Sequence, residues 1–396
     1  MADSEAPAPS PDDGARLQRE QRWAEAVAAY RVAARSGLTV SLAANLGYCL
    51  GEMGEFAEAE HWLQLAVKHR AGSADLRQRL GAIYSAQDKV DLAEIEYRTA
   101  LALKPDSDVA KLSLASILLS VGRYAEGWPL LEARTRLHAH VVPRANAAWQ
   151  EWTGEPLEGR SVFIQVEQGL GDQIQMIRFA RLLKARGAGR VTAGCRGPLA
   201  PLFLTAPGVD ATVALDAGTR AQLERPDLWT HYFTLPWRLG VGANDLWAGP
   251  YLSAPEDRKA RWRPDARIGL AWQASPTGFN GRNKSLPPEL ARRLLDRGAI
   301  SLQPEDTGVA DMADTAAIID GLDLVISIDT SIAHLAGAMG KPTWTLLPRL
   351  KTDWRWLRGR TDSPWYPTMR LYRQQTAGEW APLVDRVMAD LDAGFA

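Results

Sequence analysis

Between residues 14 and 137 the chain repeats itself with a period of 34, and that register constrains the fold more than any other feature. Gly47, Gly81 and Ala115 fall on it, as do Gly54, Asp88 and Gly122. Phe56, Val90 and Tyr124 form a third series, and Ala59, Ala93 and Gly127 a fourth. An earlier copy with Trp23, Ala26 and Ala33 precedes Phe56, Ala59 and Ala66 by 33, its connection Ser36 to Val40 being one residue shorter. Small residues held in register let paired helices cross closely. Units that cannot bury their apolar faces alone must stack, so the segment should form a short helical solenoid of about three and a half repeats.

This period, with an aromatic after the turn and Lys104-Pro105 closing one repeat, is similar to that of tetratricopeptide repeats. The resemblance implies a concave face for an extended peptide or partner protein; bracing the next domain or dimerising are the other uses open to such a unit. The final half-repeat, Tyr124 to Leu137, carries Pro129 inside its second helix, where the ring should kink or shorten it. Residues 138–159 then read as a linker, with Trp149 and Trp152 expected to pin the solenoid to the next domain.

Composition narrows the remainder. With 46 basic against 47 acidic residues there is no electrostatic case for nucleic acid or an anionic membrane surface. Cys49 and Cys195 fall in different expected domains and have no metal-ligand spacing, which suits free thiols in a reducing compartment. No uncharged apolar run approaches the roughly 20 residues of a membrane span. The opening residues, MADSEAPAPSPDDG, are acidic and Pro-rich, unlike a signal peptide, so a disordered tail over 1–13 and a cytoplasmic location are expected.

Two strand-to-helix elbows carry the chemistry. Leu322 to Ile328 is a nearly continuous, β-branched apolar run suited to a buried parallel strand. Asp329-Thr330-Ser331 breaks it with residues that favour helix N-caps, with Asp329 a candidate cap. Ile332, Leu335, Ala336 and Met339 follow at helical spacing, Gly340-Lys341-Pro342 stops the helix, and Thr343 to Leu347 reads as the next strand. The free N–H groups at such an elbow suit a diphosphate. Upstream, Ser161 to Glu167 reads as a strand leading into Gln168-Gly169-Leu170-Gly171-Asp172-Gln173 and a helix. A dinucleotide fingerprint would need a third glycine where Ile174 stands and an acidic residue ending the strand Val191 to Cys195, so an NAD-dependent enzyme is disfavoured.

The segment S-x-D-T-S-x-x-H-L-A-x-A-x-x-K-P-T, from Ser327 to Thr343, resembles the donor-binding segment of family-9-type glycosyltransferases, the bacterial heptosyltransferases and their relatives. The Gly169-Leu170-Gly171-Asp172 elbow resembles that family's G-x-G-D turn. The resemblance implies a GT-B enzyme of two Rossmann-like lobes, an acceptor lobe at 160–248 and a donor lobe at 265–396, joined by a linker at 249–264. The fold class is thus α plus α/β, a solenoid over 14–137 followed by a GT-B transferase. It implies Asp172 as general base, since a hydroxyl is a poor nucleophile until a carboxylate takes its proton. It further implies Lys284, with Arg282 second, as phosphate-binding residues in the loop after the strand Arg267 to Trp272. Thr330 and Ser331 N–H groups would hold the diphosphate, Asp329 would belong to the same donor-binding set and orient the elbow, and His334 would support the elbow or touch phosphate. Asp172 also suits a plain role at a helix N-terminus, and Arg282 a solvated loop. Two weaker expectations are Met312 near the nucleotide base and Asp314-Thr315 capping a helix from Ala316 to Leu322.

Nothing resembles a D-x-D metal pair, so the expected reaction uses no metal and no cofactor beyond a nucleotide-sugar donor as substrate. A protein Ser or Thr, as in flagellin or another surface protein, is the first acceptor expected. A lipid-linked or polysaccharide glycan is the alternative, and a scaffold with a degenerate transferase lobe the third. Some repeat-bearing protein glycosyltransferases grip the acceptor backbone with an asparagine ladder; here Asn45 is followed at the repeat spacing by Arg79 and Ser113. The segments Asp353 to Trp356 and Ser363 to Pro367 resemble the tail of bacterial repeat–glycosyltransferase fusions and are expected to pack between the lobes, with a place beside the acceptor channel as the alternative. The last helix should bury one face through Trp380, Leu383, Val384, Val387, Met388 and Leu391.

Overall fold

The computed structural model describes residues 11–140, 142–216, 224–246, 249–276 and 280–394; the side chains of Pro11 and Arg282 lie outside that description. Two compact units result, Met1–Leu118 and Leu119–Ala396.

The first unit is a run of paired helices: α1 (Pro11–Arg19), α2 (Trp23–Ser36), α3 (Val40–Met53), α4 (Phe56–His69), α5 (Ala74–Ala86), α6 (Val90–Leu103) and the start of α7 (Asp108–Ser120). Each register position has a structural task. Thr39, Ser73 and Ser107, 34 apart, cap α3, α5 and α7 by accepting from the N–H groups of Leu42, Leu76 and Ala110. Gly47 and Gly81 mark crossings where a Cβ would come within 2.7 Å of Leu63 and Tyr97, themselves 34 apart. Gly54 takes φ 85°, and Asp88 adopts the same left-handed backbone at φ 59° one repeat later. Residues 11–13, expected in the disordered tail, open α1, while residues 1–10 lie outside the described residues.

The second unit begins inside α7. Helices α8 (Tyr124–Leu131) and α9 (Arg134–Leu137) continue the repeat register but pack within this unit. Tyr124 stacks on Trp128 and meets Trp365 edge-on, and Trp128 Nε1 donates to Val241 O. The register therefore runs past the point where the burial partner changes. Pro129 stands in α8, which ends after eight residues. Trp149 and Trp152, expected to pin the solenoid, instead pack inside the second unit. Trp149 meets Phe163 edge-on, and Trp152 is fully buried, its backbone N–H donating to Trp229 O and its indole N–H to Glu155 O.

Strands β1 (Ser161–Gln165), β2 (Arg190–Cys195), β3 (Ala211–Ala214) and β4 (Leu228–His231) form a parallel sheet in the order β3-β2-β1-β4. Helices α10 (Leu170–Met176), α11 (Ala180–Ala185), α12 (Ala200–Phe203) and α13 (Leu235–Leu239) accompany it. The chain then crosses through α14 (Glu256–Arg261) into β5 (Ile268–Ala271), α15 (Gly281–Lys284), α16 (Pro288–Leu295), β6 (Ala299–Ser301), α17 (Pro304–Thr307) and α18 (Met312–Asp320). It continues with β7 (Leu324–Ile328), α19 (Ser331–Ala338), β8 (Thr343–Leu347), β9 (Met369–Arg373) and α20 (Ala381–Asp392). These five strands form a second parallel sheet, β6-β5-β7-β8-β9.

Both faces of the second sheet are covered, as its apolar strands require. Ile268, Leu270, Leu324, Ile326 and Ile328 pack with Leu294 of α16 and Leu383, Val384 and Val387 of α20. Val325 and Leu347 join the larger core that takes in the first sheet and Trp128, Trp152, Trp356 and Trp365. Arg178 ties the two sheets together: its guanidinium donates to Trp365 O and Tyr251 Oη, with the rings of Tyr251, Tyr366 and Trp365 4.5–5.1 Å from it. Among the described residues no helix is long and apolar enough to cross a membrane.

Candidate functional site

In parallel sheets ligands enter at the carboxyl ends of strands where the order reverses. The first sheet reverses between β1 and β4, and its crevice is filled by the protein itself. Glu167, just past β1, accepts from Phe233 N at 2.7 Å and from Arg134 Nε at 2.9 Å. Arg134 also donates to Thr234 Oγ1 and Glu132 Oε1, and both Arg134 and Glu167 are buried. The second sheet reverses between β5 and β7. There Lys284, ending α15, faces Asp329, just past β7, at 3.7 Å. This crevice keeps solvent access, with side-chain exposures of 16 and 15%.

The two elbows meet at this place. Gln168 takes a left-handed backbone at φ 58°, turning the chain from β1 into α10. Asp172 Oδ2 then accepts the Gly169 N–H at 2.8 Å, as a helix-capping carboxylate does. A Cβ on Gly171 would lie 2.8 Å from His334 Cδ2 and 3.4 Å from Ser331 Cα. The missing side chain thus lets the first turn of α10 lie against the first turn of α19, bringing two positive helix ends into one cleft.

Arg355 sits where these turns converge. Its guanidinium donates to Asp172 Oδ1, to Asp353 Oδ2 at 2.6 Å and to Gln175 Oε1. It lies over the rings of Phe233 and Trp354, 5.4 and 5.0 Å from their centroids. Asp353 is held in turn by capping the turn Trp354–Trp356, accepting from Arg355 N at 3.0 Å. Burial pushes the Asp172 carboxyl up from the ordinary value, Asp353 and Glu167 add to that, and Arg355 and the Gly169 N–H oppose it. Asp329 is raised by burial too, against the pull of Lys284. Burial works against the charge of Arg355, but Asp353, Asp172 and Asp329 outweigh it and hold the guanidinium protonated.

Thr330, not Asp329, is the N-cap of α19, its Oγ1 accepting from Ile332 N; Asp329 is turned to Lys284 instead. Ser331 is the first residue of that helix. His334 is 4% exposed, bonds Tyr366 Oη through Nδ1 at 2.9 Å and stacks on Trp356. Burial, with Arg355, Arg178 and Lys284 nearby, holds its pKa well below the usual value, so it is neutral and supports the elbow from inside. Met312 packs into the main core. Asp314 does not cap the helix Ala316 to Leu322. Helix α18 starts earlier, capped by Asp311, and Asp314 pairs with Arg258 of α14. Arg282 lies outside the described residues as far as its side chain is concerned.

The residues without a local signature in the sequence are Arg355, Asp353 and Gln175. Arg355 and Asp353 belong to the tryptophan-rich segment, where Trp356 and Trp365 do pack as expected and are fully buried. A charge set between two tryptophans was the available signal.

Residues 74–107 match the tetratricopeptide repeat family, so the N-terminal helical unit carries that repeat. Protein FlbA of Caulobacter vibrioides is 27% identical over 397 residues, a stretch covering 88% of this chain. The chain spans 65% of FlbA's length. Solved structures similar to the helical part include MamA, at 18% identity and a TM-score of 0.30 over 33% of this chain and 76% of MamA. The first tetratricopeptide repeat domain of Spaghetti (RPAP3), bound to an HSP90 peptide, matches at 24% identity and a TM-score of 0.26, over 27% of this chain and 86% of that domain.

Proposed function

We propose that this chain is an inverting, metal-independent glycosyltransferase that moves a sugar from a nucleotide-sugar donor to a hydroxyl. The observation that carries the reading is the pairing of a carboxylate elbow, Gly169 to Asp172, with a cationic elbow, Lys284 and the N-terminus of α19, in one cleft. Asp172 takes the acceptor proton as the new bond to the anomeric carbon forms, and the sugar–phosphate bond breaks. Lys284 and the N–H groups of Thr330 and Ser331 stabilise the departing diphosphate. One carboxylate and no covalent intermediate imply inversion at that carbon. In this reading the two lobes act as a GT-B pair, with the donor on the second.

The acceptor in this reading is a Ser or Thr of a protein, such as flagellin or another surface protein, bound by the repeat unit in the cytoplasm. One feature favours a second acceptor class, a lipid-linked or polysaccharide glycan. Where an asparagine ladder would continue from Asn45, Arg79 is engaged with Asp75 and lies over the Tyr48 ring. The test is donor hydrolysis across a panel of nucleotide sugars, followed by intact-protein mass spectrometry of surface proteins from cells with and without the gene. Hydrolysis of one donor and a sugar-sized mass loss on one protein are expected. Hydrolysis with unchanged proteins and altered surface glycan selects the second acceptor. A chain that neither binds nor hydrolyses any donor is a scaffold.

A further inference from the structure

Arg355 comes from the loop after β8, yet its nitrogens are spent on Asp172 of α10, on Asp353 and on Gln175. Aromatic rings flank it, and its side chain is 9% exposed, which places it in the wall of the cleft. Among the described side chains, Asp172, Asp329 and Asp353 stand against Arg355 and Lys284, three formal negative charges against two positive. A nucleoside diphosphate brought unchanged into that arrangement would meet a surplus of negative charge. A guanidinium, by contrast, offers a planar fork that phosphate oxygens match as well as a carboxylate does. An arriving diphosphate therefore competes with Asp172 for the same donors.

Building on the transferase reading, we propose that Arg355 is a diphosphate-binding residue that Asp172 holds in reserve, so that donor binding draws Arg355 onto phosphate and frees Asp172 to act as base. The groups facing Asp172 are consistent with this exchange. Arg355 is the cation that opposes its protonation, Asp353 and Glu167 favour protonation, the Gly169 N–H opposes it, and the neighbouring His334 of α19 is neutral. Losing Arg355 to phosphate leaves Asp172 more basic at the moment the sugar is in place. Without donor, the carboxylate stays neutralised and idle. Lys284 remains with Asp329 on the opposite elbow and supplies the second phosphate contact.

The test uses the full chain and calorimetric binding of ADP, GDP, UDP and CDP, taking forward the nucleotide that binds best. Arg355→Gln should weaken it about 10- to 100-fold, the scale of a lost charge-assisted hydrogen bond. Asp172→Asn should tighten it by about three- to tenfold, because the amide no longer competes for the guanidinium. In the double variant that tightening should vanish, since there is no guanidinium to release. Arg355→Met removes the charge while filling the space beneath the aromatic rings, and carries the same comparison if the Gln variant does not fold. Equal tightening by Asp172→Asn with and without Arg355 would mean simple repulsion and overturn the exchange. Unchanged affinity in Arg355→Gln would remove Arg355 from the phosphate site while leaving the transferase reading intact. If wild type binds none of the four nucleotides, both fall.

Discussion

At the scale of single residues, Asp172 is a carboxylate with both oxygens occupied, one by a backbone N–H and one by an arginine. Burial nevertheless raises its pKa, which brings it closer to the working range of a general base. Asp172→Asn should lower turnover by roughly 10²–10⁴-fold without weakening nucleotide binding. Half-normal turnover in that variant would remove Asp172 from the chemistry. The sign of the pH effect comes from the same shift. The base must be ionised, so kcat should fall on the acid side, with a midpoint above the ordinary Asp value because burial raises it. Lys284→Ala should weaken the nucleoside diphosphate by about 1.5–3 kcal/mol in calorimetry, and an unchanged Kd would return the lysine to a plain partner of Asp329.

Among the elements, the meeting of α10 and α19 depends on one absent side chain. Gly171→Ala places a methyl against His334 and Ser331, at 2.8 and 3.4 Å, so the helix ends must separate. A cost of about 1–3 kcal/mol in denaturant unfolding is expected, with a larger proportional loss of activity than of nucleotide affinity. Wild-type stability and activity in that variant would show that the approach is not needed. Much at this scale is legible in the sequence. The β7–α19 elbow is readable because its apolar run, cap residues and helical spacing are contiguous. The repeat is readable because caps and crossings recur at 34, as Thr39, Ser73 and Ser107 do. Arg355 is not, because its bond to Asp172 spans 183 residues and leaves no local pattern. Asp314 misleads for a related reason: Asp311, three residues earlier, takes the cap, and the second carboxylate is engaged by the distant Arg258 and by the N–H of Ala310.

For the whole molecule, periodicity and packing divide the chain at different places. A chain starting at Glu158 keeps both sheets but loses Tyr124, Trp128 and Trp152, all buried in the main core. It also strips Arg134 from Glu167, leaving a buried carboxylate without its cation. That truncation should be insoluble or unfolded by circular dichroism. A chain starting at Ser107, which keeps α7 whole, should unfold cooperatively and bind nucleoside diphosphate as the full chain does. If the Glu158 chain folds and binds equally well, residues 119–157 are dispensable packing. The Arg134–Glu167 pair also bears on how such proteins could be recombined. A graft joined at the end of the visible periodicity would leave behind the plug that seals one of the two sheet crevices. The exchangeable cassette begins a full helical hairpin earlier, so new repeat arrays can be spliced on only upstream of Leu119.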